Sequence, residues 1–173
     1  MNTHKGKNTK QLRVPMRYLP TTLSKKDRIK QKRMLMRSRK LYKKHQYYTR
    51  KPLQSYKHKT SKHIKDAQRI YKIENITPNA KLAKATGCSI SALKQIVRKG
   101  EGAYYSSGSR PNQTAQSWGL ARLASSITGG KAAAVDYNIL TTGCDHGKRA
   151  FNLATKSRRQ YKHGQGKTKK FIL

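Results

Sequence analysis

Few residues in this sequence could do bond-making chemistry, and their spacing argues against it. Cys88, Cys144, Asp145 and His146 form a grouping with metal-ligand or nucleophile character. No C-x-x-C pair and no H-x-x-x-H pair accompanies it, so four zinc ligands would have to converge through the fold alone. Cys144 and His146, two residues apart, lack the third group that orients a base beside its nucleophile. Six carboxylates in the whole chain leave little for acid–base pairs or magnesium binding. An enzyme is not expected, and neither is a catalytic residue, a metal, a cofactor or a small-molecule substrate. The two cysteines could close one disulfide at most, and two reduced thiols are expected.

The string from Gly102 to Thr114, with Tyr104, Tyr105, Arg110 and Pro111, is a different kind of candidate. Glycines and serines in a loop can present backbone N–H groups to an anion, and Arg110 would add a cation. The same residues could equally be an ordered connection in which the tyrosines pack. A nucleotide-binding Walker loop is excluded, because Gly129-Gly130-Lys131 is followed by Ala132 rather than a hydroxyl residue.

Leu82, Ala83, Gly87, Ile90, Leu93 and Ile96 have the spacing of a helix-turn-helix pair, with a small residue at the crossing and a glycine in the turn. In a DNA-reading version the second helix would offer Ser89, Ser91, Lys94, Gln95 and Arg98 to base edges. Any tight helix pair buries the same apolar residues, so packing alone explains the pattern as well.

These candidates sit in a chain of 173 residues with 41 Lys or Arg against 6 acids, a formal charge of +35 and a pI near 10.7. The charge is uneven. Residues 1–72 hold 24 Lys or Arg and 2 acids, residues 73–147 hold 8 and 4, and residues 148–173 hold 9 and none. That layout reads as a nearly neutral module, 73–147, between two polycationic arms. Lys25, Lys26, Arg28, Arg37, Arg39, Lys40, Lys43, Lys44 and Arg50 on the first arm, Arg110 in the module, and Arg158 and Arg159 on the second are the candidate contacts to phosphates or an acidic partner. Lys and Arg interleaved with Tyr between Tyr42 and Tyr56 suit phosphate contact with base stacking. An anionic membrane surface would attract them too. No apolar stretch approaches the roughly 20 residues that span a bilayer, and Met1 to Lys10 has no apolar signal-peptide segment, so neither secretion nor membrane insertion is expected.

The elements that must position these residues read as all-α. Ser24 can cap a helix over Lys25 to Lys44 with a narrow apolar stripe of Ile29, Leu35, Met36, Leu41 and Tyr42. An extended arm is expected from His45 to Lys62, then a short helix from Ser61 to Lys72. The module should hold four helices: Lys81 to Thr86, stopped by Gly87; Ile90 to Lys99, capped by Ser89 and stopped by Gly100; one capped by Thr114 with Leu120, Leu123, Ala124 and Ile127 inward; and one through Ala132, Val135, Ile139 and Leu140 to Gly143. A Gly/Ser-rich loop over 100–112 joins the second and third, with Tyr104, Tyr105 and Trp118 at the core boundary. Strand signals are absent. The C-terminal arm ends in Phe171-Ile172-Leu173, which reads as a plug for another surface.

The block Lys99-Gly-Glu-Gly-Ala-Tyr-Tyr-Ser-Ser-Gly-Ser-Arg-Pro-Asn-Gln-Thr114, followed by Ser117-Trp-Gly-Leu-Ala-Arg-Leu-Ala-Ser125, Gly129-Gly-Lys-Ala132, Asp136 and Gly143-Cys144, resembles a basic domain of large nucleocytoplasmic DNA viruses. Ser38-Arg-Lys-Leu-Tyr-Lys-Lys44 and Tyr48-Thr-Arg50 are similar to the leading segment of the same family. The resemblance spans about residues 24–144 and supplies no active site. It implies a virion protein assembled in the host cytoplasm: a minor capsid protein on the inner side of an icosahedral shell, with the major capsid protein and other minor capsid proteins as partners. The alternative is a protein that organises viral DNA with its arms and the helix pair.

Overall fold

The computed structural model describes residues 13–165 and 168–172. Its first five α-helices begin where capping residues stand. Ser24 accepts a hydrogen bond from the Asp27 amide and opens α1 (Lys25–Tyr42), Ser61 opens α2 (Lys62–Tyr71), and Asn79 opens α3 (Ala80–Thr86). Ser89 caps α4 (Ile90–Ser106) and Thr114 caps α5 (Ala115–Ile127), where the Thr114 amide donates in return to Ser117 Oγ. Each cap satisfies an N–H that the helix itself leaves unpaired. The short helices α6 (Lys131–Val135) and α7 (Tyr137–Gly143) and the longer α8 (Arg149–Gln160) follow, eight helices in all among the described residues. Gly87, at φ +75°, ends α3 in the left-handed conformation that the sequence requires of it.

Three expectations about these helices are corrected. Gly100 does not stop α4, which runs through it and Gly102 to Ser106, so the expected loop over 100–112 is helical for half its length. The reason is packing. A Cβ at Gly100 would stand 2.6 Å from the Gly119 Cα, so α4 and α5 meet backbone to backbone and the glycine serves the crossing. The expected fourth helix is two, α6 and α7, broken at Asp136, whose carboxylate is fully buried against Arg122. The buried stripe of α1 is Asp27, Gln31, Met34, Leu35 and Ser38, whereas Ile29 and Met36 are exposed. That stripe is stable because its polar members are bonded: Gln31 donates to the Tyr18 carbonyl, Ser38 to the Tyr105 carbonyl, and Asp27 accepts from the Ser55 amide and hydroxyl.

The described parts of both flanks pack onto the middle segment. The main core joins Ala67 and Tyr71 of α2, Leu82, Leu93, Ile96, Leu123, Ile127 and Leu140 of the middle segment, and Ala150 and Ala154 of α8. Residues from all three charge segments therefore share one core, and the first half of the expected C-terminal arm is a packed helix. The N-terminal segment adds two smaller clusters, one of Val14, Tyr18, Leu19 and Leu35 beside Trp118, the other of Leu23, Met34 and Leu53. A two-stranded antiparallel sheet, absent from the sequence reading, pairs β1 (Arg13–Pro15) with β2 (Lys170–Ile172), with Val14 opposite Phe171. Phe171 packs on the Val14 cluster, so the expected plug closes a surface of its own chain. Leu173 lies outside the described residues, as do Met1 to Leu12.

The expected free thiols are also corrected. Cys88 and Cys144 form a disulfide, flanked by hydrogen bonds from the Ser89 amide to the Gly143 carbonyl and from the Asp145 amide to the Gly87 carbonyl. Fifty-six residues separate the two cysteines. The fold brings them together by laying the turn before α4 against the end of α7.

Candidate nucleic-acid interface

The candidate cations divide into those the fold uses and those it leaves to solvent. Arg50 belongs to the first group: buried, it donates to Ser38 Oγ (3.0 Å), the Tyr104 carbonyl (2.8 Å) and Ser109 Oγ (2.8 Å), and its guanidinium lies 3.8 Å from the Tyr104 ring centroid. It is a structural cation and is not available to a phosphate. Arg39 donates to the Ser107 and Arg13 carbonyls, and Arg28 donates to the Leu19 carbonyl while lying over Phe171. Arg37 covers Tyr48, and Arg158 covers Tyr137 and donates to His163 Nδ1. Lys25, Lys26, Lys40, Lys43, Lys44, Arg110 and Arg159 are exposed. Tyr104 is fully buried, Tyr105 packs edge-on against it, and Trp118 meets Tyr18 edge to face. The loop motif is thus a packing device around Arg50, and Arg110 is its one exposed cation.

On α4 the inner face is Ala92, Leu93, Ile96, Val97, Gly100 and Tyr104. Ile90, expected inward, is exposed, while Ala92 packs so closely on Gly143 that a Cβ there would collide with it. The opposite face presents Ser91, Lys94, Gln95 and Arg98, all exposed. Gln95 donates weakly to Ser91 at 3.4 Å, and no described residue accepts from Lys94 or Arg98. Lys81 and Lys84 of α3 are exposed on the preceding helix, and Lys148 lies against the Gly87 turn. The sequence reading missed the part of these three lysines, since their approach to α4 depends on the turn and on the disulfide that ties residue 88 to residue 144.

Two of the six acids, Asp27 and Asp136, are buried, Asp66 and Glu101 are half-buried, and Glu74 and Asp145 are exposed. Asp136 is buried, with Arg122 bound through both carboxylate oxygens at 2.7 and 2.8 Å and Lys99 at 3.0 Å. Burial alone would raise its pKa, but the Arg122 hydrogen bonds and charge, then Lys99, outweigh it and hold the carboxyl below its ordinary value. The Ser55 hydroxyl and amide hold the buried Asp27 carboxyl low as well. Among the described residues the salt bridges are Arg69–Asp66, Lys99–Asp136 and Arg122–Asp136, so few surface cations are neutralised. No group of three or more metal-ligating side chains occurs among them, and no described helix is long and apolar enough to cross a membrane.

The molecule is thus a mostly helical, strongly basic protein with an uncommitted cationic helix face. It belongs to the family of unknown function DUF5824, whose family model matches residues 15–146. No curated protein and no solved structure matches the chain significantly.

Proposed function

We propose that the protein binds duplex nucleic acid, viral DNA in the context the sequence resemblance implies, with α4 laid against a groove. The observation that carries this reading is the outer face of α4, where Ser91, Lys94, Gln95 and Arg98 stand exposed in consecutive turns behind a capped turn and neither cation has an acceptor among the described residues. Lys and Arg pair with guanine edges or phosphates, and Gln with adenine. Lys81, Lys84 and Lys148 beside the turn would meet the backbone, and α1 would extend the positive surface through Lys40, Lys43 and Lys44.

Titrating the protein against duplex DNA at several salt concentrations tests this. Log affinity should fall linearly with log salt, by about 0.9 per neutralised phosphate. Salt-insensitive or absent binding at low ionic strength would overturn the reading.

A second reading, a minor capsid protein on the inner face of a virion shell and in contact with the major capsid protein, is supported by the resemblance of the 99–114 block. The packing of both flanks onto the protein's own core weakens its premise of free cementing arms. Copurification with empty shells rather than with the genome would favour it.

A further inference from the structure

A cleft of about 370 Å³ opens between the start of α2, the middle of α5 and the strand of chain from Tyr56 to Ser61. It lies apart from the α4 face and makes no use of the residues named for duplex binding. Its inner wall is apolar, with Trp118, Leu120 and Ala121 from α5 and Ile64 from α2. Its rim is cationic, with Lys59, Lys62 and Arg110. No Asp or Glu is among the lining residues. His63, also at the wall, is pushed below its ordinary pKa by burial, with Lys62 and Arg110 adding to the shift against Asp66, so the positive charge belongs to the three rim cations.

Arg110 is the telling residue. Its carbonyl accepts from Ser109 Oγ, but no described residue accepts a hydrogen bond or forms an ion pair with its guanidinium. The backbone that carries it is held firmly. Asn112, at φ +58°, accepts from the Leu53 amide at 2.7 Å and donates to the Leu53 and Tyr56 carbonyls, and its own carbonyl contacts His58 Nδ1 at 3.1 Å. Ser117 and Gln113 are bonded to each other beside it. An arginine whose guanidinium has no acceptor among the described residues, on a fixed loop that lines one cleft with an indole and two lysines, suits a planar group that carries a phosphate.

We propose that this cleft binds a nucleoside monophosphate unit, its base stacked on Trp118 and its phosphate held by Arg110 with Lys59 and Lys62. The cleft has the size of small-ligand sites, which begin near about 300 Å³. Base stacking on an aromatic ring tolerates any base, and the rim cations supply the phosphate contacts. The unit can be a free nucleotide or one residue of a single strand, and the two sources share this chemistry.

Trp118 is the only tryptophan of the chain, so its fluorescence reports on the cleft directly. The full chain is titrated with thymidine monophosphate, with an oligothymidylate of eight residues, and with inorganic phosphate. Thymidine monophosphate should quench saturably and inorganic phosphate should not. Arg110→Ala should weaken nucleotide binding about tenfold, the scale of one charge-assisted hydrogen bond set, and Arg110→Lys should recover part of it. Because the exposed Arg110 side chain has no hydrogen-bond or ion-pair partner among the described residues, the melting temperature of both variants should match the parent. Much tighter binding of the oligonucleotide identifies a strand as the ligand, and equal affinity identifies the free nucleotide. Equal quenching by inorganic phosphate, no quenching by any nucleotide, or affinity unchanged in Arg110→Ala overturns the proposal. Loss of duplex binding on α4 with nucleotide quenching intact would refute the duplex reading alone.

Discussion

The Arg50 guanidinium lies 3.8 Å from the ring centroid of Tyr104, and the Arg50 amide donates to the Tyr104 hydroxyl at 2.9 Å, so two residues 54 positions apart are joined at both ends. No carboxylate accompanies this buried cation. Its charge is balanced by a carbonyl, two serine hydroxyls and an aromatic face, which together offset the cost of desolvation. Arg50→Ala should therefore destabilise the protein by about 3 kcal/mol, since it strands buried acceptors and opens a cavity. Arg50→Lys should recover little, because an ammonium cannot bridge three acceptors in one plane. Chemical denaturation checks both.

Asp136 gives the stability a definite acid limb. Its carboxyl is held below the ordinary 3.8, so its contribution is complete above about pH 4 and is lost as the pH falls through its own lower value. Asp136→Asn should cost about 2 kcal/mol at neutral pH, less than a fully buried pair because Lys99 is half-exposed. The variant should also show a shallower loss of stability between pH 4 and pH 2 by urea denaturation. Asp27, depressed by its Ser55 hydrogen bonds, titrates with the same sign, so part of the limb should remain.

Reducing the Cys88–Cys144 disulfide should lower stability by up to about 4 kcal/mol, the loop-closure value for a separation of 56 residues. For a chain of this size that is roughly 10 °C in melting temperature. The double variant Cys88→Ser, Cys144→Ser should melt at the reduced protein's temperature and no longer respond to reductant. Both sulfurs are held in the disulfide, so thiol titration of the oxidised protein should detect none, whether native or denatured.

The α4–α5 crossing should not tolerate a methyl group. A Cβ on Gly119 would stand 2.7 Å from the Val97 carbonyl oxygen, a backbone atom that cannot move without shifting α4. Overpacking of this kind costs about 1–3 kcal/mol, more than the roughly 1 kcal/mol that alanine gains over glycine in a helix. Gly119→Ala should thus melt lower than the parent in calorimetry.

Lys94→Ala and Arg98→Ala should each lower the salt slope of duplex binding by about 1 without changing the melting temperature. The same double substitution at Lys25 and Lys26, at the far end of α1, provides the comparison. If it changes the slope as much as the α4 pair does, binding is diffuse over the surface and the α4 face has no special part.

The local features of this chain were legible in its residues. Ser24, Ser89 and Thr114 cap the helices they were expected to cap, and Gly87 ends α3, because a side-chain acceptor or a left-handed glycine acts within four residues of itself. The positive charge and the thinness of catalytic groups were also read directly. Distant partners were not. Gly100 has the chemistry of a helix stop, and only the Gly119 backbone beside it explains why α4 continues. Arg50 is one of many arginines until Tyr104, Ser38 and Ser109 surround it. Charge count separated residues 1–72 and 148–173 as arms, yet Ala67, Tyr71, Ala150 and Ala154 bury small apolar surfaces that are inconspicuous among so many lysines. Composition and capping determined where helices begin and that the molecule is basic. Tertiary packing decided which cations are consumed inside and which, like Lys94, Arg98 and Arg110, stay exposed, because burial depends on neighbours that no local pattern names.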